Sequence, residues 1–283
     1  MAITLRWLDR TTLPVEAEGL SPRYLAGLRC DDVARLVLPV GNGEAEVGDL
    51  FTVEAGDGPA DEVRVEGDLS HVRSLGRGLD RGRLVIVGAA GAYLGAGMTG
   101  GVIDVQGPVG DWAGAEMEGG ILRVRGDAGR HLGAALPGSQ RGMRDGVILV
   151  EGSVGEEAGR RMRRGLIAVG GAAGDGFGRN VIAGTLLAFG TVGRHVGMGM
   201  KRGTIGLFHS EPPALLPTFV SAGRYRFPFL SLYLRQLAAW GFPVPNRVTR
   251  ASSERYNGDR AEGGQGEILV LAGPDHTAGK VNG

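Results

Sequence analysis

The sequence predicts a mainly β chain. Its centre is a right-handed parallel β-helix of six or seven coils, set between a small N-terminal β-rich cap and a C-terminal helix and tail. Three observations lead there: an excess of glycine, a 19-residue repeat, and period-two apolar alternation inside each repeat. Glycine supplies 53 of 283 residues, about 19 % against an ordinary share of about 7 %. Proline is only 13 and the Gly-x-y period is missing, which excludes collagen and Pro-rich linkers. A hydrophobic content of 42 % is too high for a disordered glycine tract. Many glycines in a foldable chain mean many sharp turns.

Residues 1–62 hold short alternating pieces, Leu36–Val40 and Leu50–Val53, broken by Gly41-Asn42-Gly43. They read as a small β-rich cap. Ser21–Leu28 reads as one or two helical turns.

Residues 63–210 carry the repeats. Gly91, Gly110, Gly129, Gly155, Gly174 and Gly193 each open a unit, and the spacing is 19 residues in every step but one. The third unit is 26 residues long, with seven extra residues around Pro137–Met143. A weaker unit ending in Gly82–Gly88 precedes them. After the paired glycines come Ile103 and Val105, Leu122 and Val124, Ile148 and Val150, Ile167 and Val169, separated by residues such as Asp104 and Arg123. That alternation predicts strands with one buried face. Glycines beside each short run supply the positive φ a corner needs. A unit of this length is too short for a βαβ crossover of about 30 residues. It suffices for one coil of a parallel solenoid at roughly 4.8 Å per coil, giving a prism about 30 Å tall. Met98, Met117, Met143, Met162 and Met200 recur in one register and are read as core filler rather than a thioether metal site.

Residues 211–283 change character. Phe227–Trp240 has helical spacing, ends at Gly241, and is expected to cap the last coil. The tail from about 250 is polar, but Glu267–Ala272 reads as a strand that needs a sheet edge, here or on a partner.

Charge and composition exclude several classes. Lys+Arg number 31 and Asp+Glu 31, so no global field draws the chain to nucleic acid or an anionic membrane. All but two of the basic residues, Lys201 and Lys280, are arginine. The single Cys30 excludes a disulfide framework, a cysteine zinc site and an Fe–S cluster held by this chain alone. No apolar run reaches the roughly 18 residues that span a bilayer, and Met1–Arg10 lacks a signal-peptide core. A soluble, cytoplasmic protein is expected.

Few motifs carry chemistry. Gly95-Ala-Gly-Met-Thr-Gly100 fits G-x-G-x-x-G, but a strand rather than a helix follows, so it is a by-product of the repeat glycines. His131 and His195 share a register three coils apart, roughly 14 Å by the coil spacing, too far to share a metal. His71, His209 and His276 fall outside that register. No Ser-His-Asp set or paired-carboxylate cluster stands out, so no catalytic residue is assigned.

The site-like feature is basic. Arg160, Arg161, Arg163 and Arg164 put four guanidiniums around one turn. Stacking the units aligns Arg144, Arg163 and Lys201 in one column, with Arg164 and Arg202 in the next. Two readings fit: a column that binds a polyanion such as a row of carboxylates, or a solvated or interface ridge that keeps sheet surfaces from aggregating.

The repeat Gly-x₃-Gly-x₂-Met-x₂-Gly-x-Ile-x-Val-x-Gly, with Gly171–Gly174 and Gly174–Gly178, resembles the Gly-x-Gly-x-Gly solenoid. That domain occurs in the glutamate synthase large subunit and in the C-type subunit of formylmethanofuran dehydrogenase. Val47–Val53, the turn Arg160–Gly165, Ile182–Thr185, Arg202–Thr204 and Leu216–Phe219 are similar to the second, over roughly residues 20–220. The arginine-rich composition and the tail Tyr256–Leu269 look more like the bacterial form, from the formyltransferase/hydrolase complex of methylotrophs. The resemblance implies a complex that moves a formyl group from tetrahydromethanopterin to a methanofuran-type carrier and hydrolyses it to formate. It implies metal-dependent hydrolysis, with zinc, in an A-type subunit, formyl transfer in a D-type subunit, and a further, B-type subunit. For this chain it implies a non-catalytic structural subunit with no cofactor of its own. Methanofuran-type carriers bear glutamate-rich tails, so Arg144, Arg160, Arg161, Arg163, Arg164, Lys201 and Arg202 are expected to contact that tail or an acidic partner surface. The alternatives are the C-type subunit of an oxidoreductase, formylmethanofuran dehydrogenase itself, or a glutamate-synthase-like spacer in an amidotransferase. A left-handed hexapeptide acyltransferase fits less well, since six-residue periods give 18 per coil.

Overall fold

A computed structural model describes residues 2–211, 213–246, 248 and 252–271. The N-terminal segment gives β1 (Ala2–Trp7), β2 (Val15–Glu16), α1 (Pro22–Leu25), α2 (Cys30–Ala34), β3 (Val37–Val40), β4 (Gly43–Glu46), α3 (Val47–Leu50) and β5 (Phe51–Gly56). The repeats follow as β6 (Glu62–Glu66), β7 (Val72–Arg73), β8 (Arg83–Val87), β9 (Val102–Val105), β10 (Glu118–Val124), β11 (Asp145–Val150), β12 (Leu166–Val169), β13 (Thr185–Ala188) and β14 (Thr204–Leu207). The chain closes with β15 (Val220–Tyr225), α4 (Pro228–Ala239), β16 (Ser253–Gly258), a short 3₁₀ turn Arg260–Glu262, and β17 (Gly266–Leu271).

Thirteen strands form one sheet in the order β15-β16-β17-β14-β13-β12-β11-β10-β9-β8-β6-β1-β5, and β4-β3-β2-β7 form a second. From β1 and β6 through β8–β14 to β17 the neighbours are parallel, and within the repeats each strand pairs with its counterpart one unit away. The register runs Ile3, Val63, Leu84, Ile103, Leu122, Ile148, Ile167, Leu186, Ile205, Ile268, and every member of this row is at most 5 % exposed. A second line of parallel bridges links Leu69, Ala90, Val109, Ala128, Val154, Ala173 and Val192. Each unit therefore meets the next along two separate lines. Met98, Met117, Met143, Met162 and Met200 are fully buried between them.

The first and last rungs come from outside the repeats. Ile3, Leu5 and Trp7 alternate on β1, which lies parallel to β6, while β5 pairs antiparallel with β1. At the other end β17 adds parallel to β14, with Ile205 opposite Ile268. The expected C-terminal strand thus finds its sheet edge within the chain; Ala272 lies outside the described residues.

The single buried face holds only in the early units. Positions pointing away from the buried row are Arg64, Val85, Asp104 and Arg123 there, polar in all but β8, where Val85 is buried; Asp104 accepts from Arg123 at 3.2 Å and pairs with Arg83 at 2.8 Å. In β11–β13 the same positions become Leu149, Ala168 and Leu187, and β12 and β13 are buried throughout. Strands covered on both sides read as continuous apolar runs. The cover is α4, whose Leu230, Leu234 and Leu237 pack with Leu149, Leu166, Ala168, Leu187, Phe189 and Phe208 in a second core. Where the sequence pointed to α4 as an end cap, the structure lays it along the outer face of these units. The hydrophobic side chains there would otherwise meet water.

Candidate functional site

The pairing of Val147, Leu166, Thr185 and Thr204 fixes the turns that precede them. The amides of Arg144, Arg163, Ile182 and Lys201 donate to the carbonyls of Met117, Met143, Met162 and Val181 at 2.7–2.8 Å. Arg144, Arg163, Ile182 and Lys201 therefore stand in one column. Asp145, Arg164, Ala183 and Arg202 stand in the next.

The structure divides the seven basic residues. Arg163, Arg164, Lys201 and Arg202 line one cleft of about 660 Å³, floored by Ile182, Ala183 and Gly184 and walled by Tyr233 of α4 and by Glu262 and Gln265. Arg163 and Arg164 are exposed, and among the described residues neither guanidinium has a hydrogen-bond or ion-pair partner. Lys201 Nζ lies 4.0 Å from a Glu262 carboxylate oxygen. Arg202 Nε donates to Gln265 Oε1 at 3.1 Å. The Thr185 hydroxyl sits 3.4 Å from the Tyr233 hydroxyl, joining the floor to the helix.

Arg144, Arg160 and Arg161 are outside this cleft. Arg144 is paired with Glu118. Arg160 Nη1 donates to Glu157 Oε2 at 3.0 Å, and Arg161 Nη1 donates to the Ser139 carbonyl at 2.7 Å. The turn Arg160–Arg164 thus sends its first two arginines to one side and its last two to the other. Thr185, Tyr233, Glu262 and Gln265 were not assigned to the site from the sequence; the last three come from α4 and the β16–β17 hairpin, so no repeat column could flag them.

A second cluster lies on another corner. Tyr93, Trp112 and His131 share one register, stacked at 6.4 Å and 4.2 Å between ring centroids. Glu157 continues the column, its oxygens 3.6 Å from His131 Nδ1 and 2.8 Å from Arg179 Nη1. Burial lowers the His131 pKa below 6.5; Arg160 and Arg130 add to this, and the carboxylates of Glu157 and Asp111 oppose it. His195 lies three units on, past Glu157 and Gly176, and His276 lies outside the described residues. Among the described residues no three His, Cys, Asp or Glu side chains converge as metal ligands do. The cleft lining holds cations, hydroxyls, an amide and one carboxylate. That set suits binding an anion by charge-assisted hydrogen bonds.

No protein-family model matches the chain. The C-type subunit of the molybdenum-containing formylmethanofuran dehydrogenase 1 of Methanothermobacter marburgensis is 34 % identical over 82 residues, covering 29 % of this chain and 20 % of that protein. The C-type subunit of the tungsten-containing formylmethanofuran dehydrogenase 2 of Methanococcus maripaludis is 29 % identical over 83 residues, covering 29 % of this chain and 30 % of that protein. These matches span less than a third of either relative. A chain in the crystal structure of the formyltransferase/hydrolase complex FhcABCD of Methylorubrum extorquens with methylofuran superimposes far more widely. Its TM-score is 0.87 at 32 % identity, over 95 % of this chain and 100 % of that one. The chain belongs to the family of formylmethanofuran dehydrogenase C-type subunits. In this chain the basic cleft sits where three of the stacked glycine-rich units meet α4 and the C-terminal hairpin. No helix among the described residues is long and apolar enough to cross a membrane.

Proposed function

We propose that this chain is the non-catalytic structural subunit of a cytoplasmic formyltransferase/hydrolase complex. The complex passes a formyl group from tetrahydromethanopterin to a methanofuran-type carrier and releases formate. The likeness to a chain of FhcABCD over 95 % of this chain carries the reading. In it, a metallohydrolase-like A-type subunit holds the zinc, the D-type subunit transfers the formyl group, and the B-type subunit completes the assembly. The stacked units over 63–210 form a right-handed parallel β-helix, flanked by 1–62 and 211–283; the two parallel ladders support this. The basic residues are the subunit's anion-contacting face, turned to the carrier's tail or to an acidic partner surface.

The test is to purify the tagged chain from its native cells and identify what accompanies it by peptide mass. A hydrolase-like and a formyltransferase chain at fixed ratio are expected. Recovery alone, or with flavin and Fe–S amidotransferase chains, would overturn the reading. The second reading, the C-type subunit of a formylmethanofuran dehydrogenase, is favoured by the curated relatives. Molybdenum or tungsten in the purified complex would select it.

A further inference from the structure

We infer that the seven-residue insertion in the third unit is a preorganised docking loop, whose tip at Gln140–Arg141 enters an acid-lined pocket on a partner polypeptide. This rests on the reading of the chain as one subunit of a hetero-oligomer and names one of its contacts.

The stacking of the units does not need the insertion. In ordinary units the amides of Met98, Met117 and Met162 donate to the carbonyls of Gly95, Gly114 and Gly159, three residues back. Met143 makes the same bond to Gly133 at 2.9 Å, so the turn closes with the seven extra residues looped out. Ile148 still lies opposite Leu122 and Ile167, and Val154 still bridges Ala128 and Ala173. Insertions of this kind in a solenoid map to loops on one face, often the binding face.

The chain nevertheless grips the loop. Its stems, Ala135 and Gly142, donate to the carbonyls of Arg160 and Arg161 at 3.1 Å and 2.8 Å. The Glu116 carboxylate, from the unit before, accepts from the Leu136 amide at 3.1 Å, and Arg161 Nη1, from the unit after, donates to the Ser139 carbonyl at 2.7 Å. Glu116 and Arg161 stand in one column with Gly78, Gly97, Asn180 and Gly199, and all six have left-handed backbone, φ between 54 and 75. Glycine suits that conformation and asparagine tolerates it, but a long side chain is strained there. The two strained members are the two that flank the loop and hold it. Strain kept at such points goes with function. Arg161 is thus a positioning residue for the loop.

What the loop presents is a cation. Residues 128–144 contain Arg130, Arg141 and Arg144 and no Asp or Glu. Arg144 is paired with Glu118. Pro137, Gly138, Gln140 and Arg141 are exposed, and the side chains of Gln140 and Arg141 have no partner among the described residues. A fixed loop with an unpaired guanidinium at its tip fits a concave surface and loses little freedom on docking. That guanidinium binds a carboxylate bidentately, and arginine is a preferred anchor at the centre of protein interfaces.

The experiment takes the tagged full chain and the partner chains that co-purify with it, released and bound again, with affinity read by biolayer interferometry. Deleting residues 136–142 together with Ala135→Gly leaves Gly-Ala-Gly-Met, the turn found at Gly95–Met98, so this variant should fold and melt within a few degrees of the wild type. It should lose about ten-fold or more in affinity for the partner chains, and R141E should lose as much. R161Q should weaken binding about three-fold and speed amide exchange at Ser139–Arg141, whereas R161K, which keeps a donor for the Ser139 carbonyl, should stay near the wild type. A photo-crosslinker in place of Gln140 should label a partner segment that carries Asp or Glu. Wild-type affinity in the deletion variant or in R141E, or a cross-linked segment without an acid, would overturn the inference and leave the place in the complex standing. If the deletion variant does not fold, R141E decides. A wild-type chain that retains no partner sinks the proposed place in the complex, and the role of the loop with it.

Discussion

Replacing Gly126 by alanine probes the stacking of the units at a close backbone approach. Gly67, Gly88, Gly107, Gly126, Gly152, Gly171 and Gly190 occupy the same place in seven successive units. A Cβ on Gly126 would lie 2.6 Å from the Gly107 carbonyl carbon and from Pro108 N, all of it backbone. To reach 3.4 Å, the edge of ordinary contact, the two turns must part by about 0.8 Å. Overpacking of this kind costs about 1–3 kcal/mol. The parting also strains two bonds between neighbouring units, Arg125 N–H to Val105 O at 3.0 Å and Val109 N–H to Asp127 O at 2.8 Å, each worth about 1 kcal/mol. A loss of about 3–5 kcal/mol follows. The control is Gly97→Ala. Gly97 has φ +66, but nothing lies within 4 Å of its Cβ position. The equivalent places hold Glu116 at φ 54, Arg161 at φ 58 and Asn180 at φ 55. Left-handed strain of about 1–2 kcal/mol is the whole cost there. Thermal unfolding followed by circular dichroism should therefore fall on the order of 10 °C in G126A and a few degrees in G97A. A G97A loss equal to or above that of G126A would refute the close-approach explanation.

Other consequences are testable alongside. Because burial depresses the His131 pKa, the unfolded chain takes up a proton that the folded chain resists, so stability should fall as pH drops through about 6.5. H131Q should lose less between pH 7.5 and 5.5 than the wild type; identical losses in both would contradict this. Asp259, 3 % exposed, accepts from the amides of Gly199 at 2.9 Å and Ala261 at 3.0 Å. Burial raises its pKa, but those hydrogen bonds outweigh it and leave the carboxyl below its ordinary value. Its contribution is present above about pH 3.9 and lost below. D259A should cost about 1.5–3 kcal/mol and speed amide exchange at Gly199 and along β17; exchange unchanged at both would discount the docking role. Met162, fully buried, should cost about 2–5 kcal/mol as alanine and under about 1.5 kcal/mol as leucine, measured by urea unfolding. Equal losses would point away from a packing role.

Much of the fold was legible because the repeat is local. Glycines at fixed intervals and pairs such as Ile103–Val105 set strand, turn and register without reference to distant residues. What lay outside was non-local. The alternation of β1 was present in Ile3, Leu5 and Trp7, but nothing in it points to β6 as its neighbour. The join of β17 to β14 spans a long excursion through α4. The apolar run Leu166–Val169 already shows that its strand is covered on both faces, a signal hidden by treating every unit as alike. The basic columns followed from the repeat, which is why Arg163, Arg164, Lys201 and Arg202 were found together. The repeat could not tell which way each side chain turns: Arg160 goes to Glu157 and Arg144 to Glu118, leaving four residues in the cleft.

The most direct measurement is native mass spectrometry of the assembly purified through this chain, paired with formate release from a formylated carrier. The expected result is a discrete hetero-oligomer that contains this chain, with formate released by the assembly and none by the chain alone. Formate release by the isolated chain, or a homo-oligomer with no other subunit, would contradict its place as a non-catalytic member of the complex.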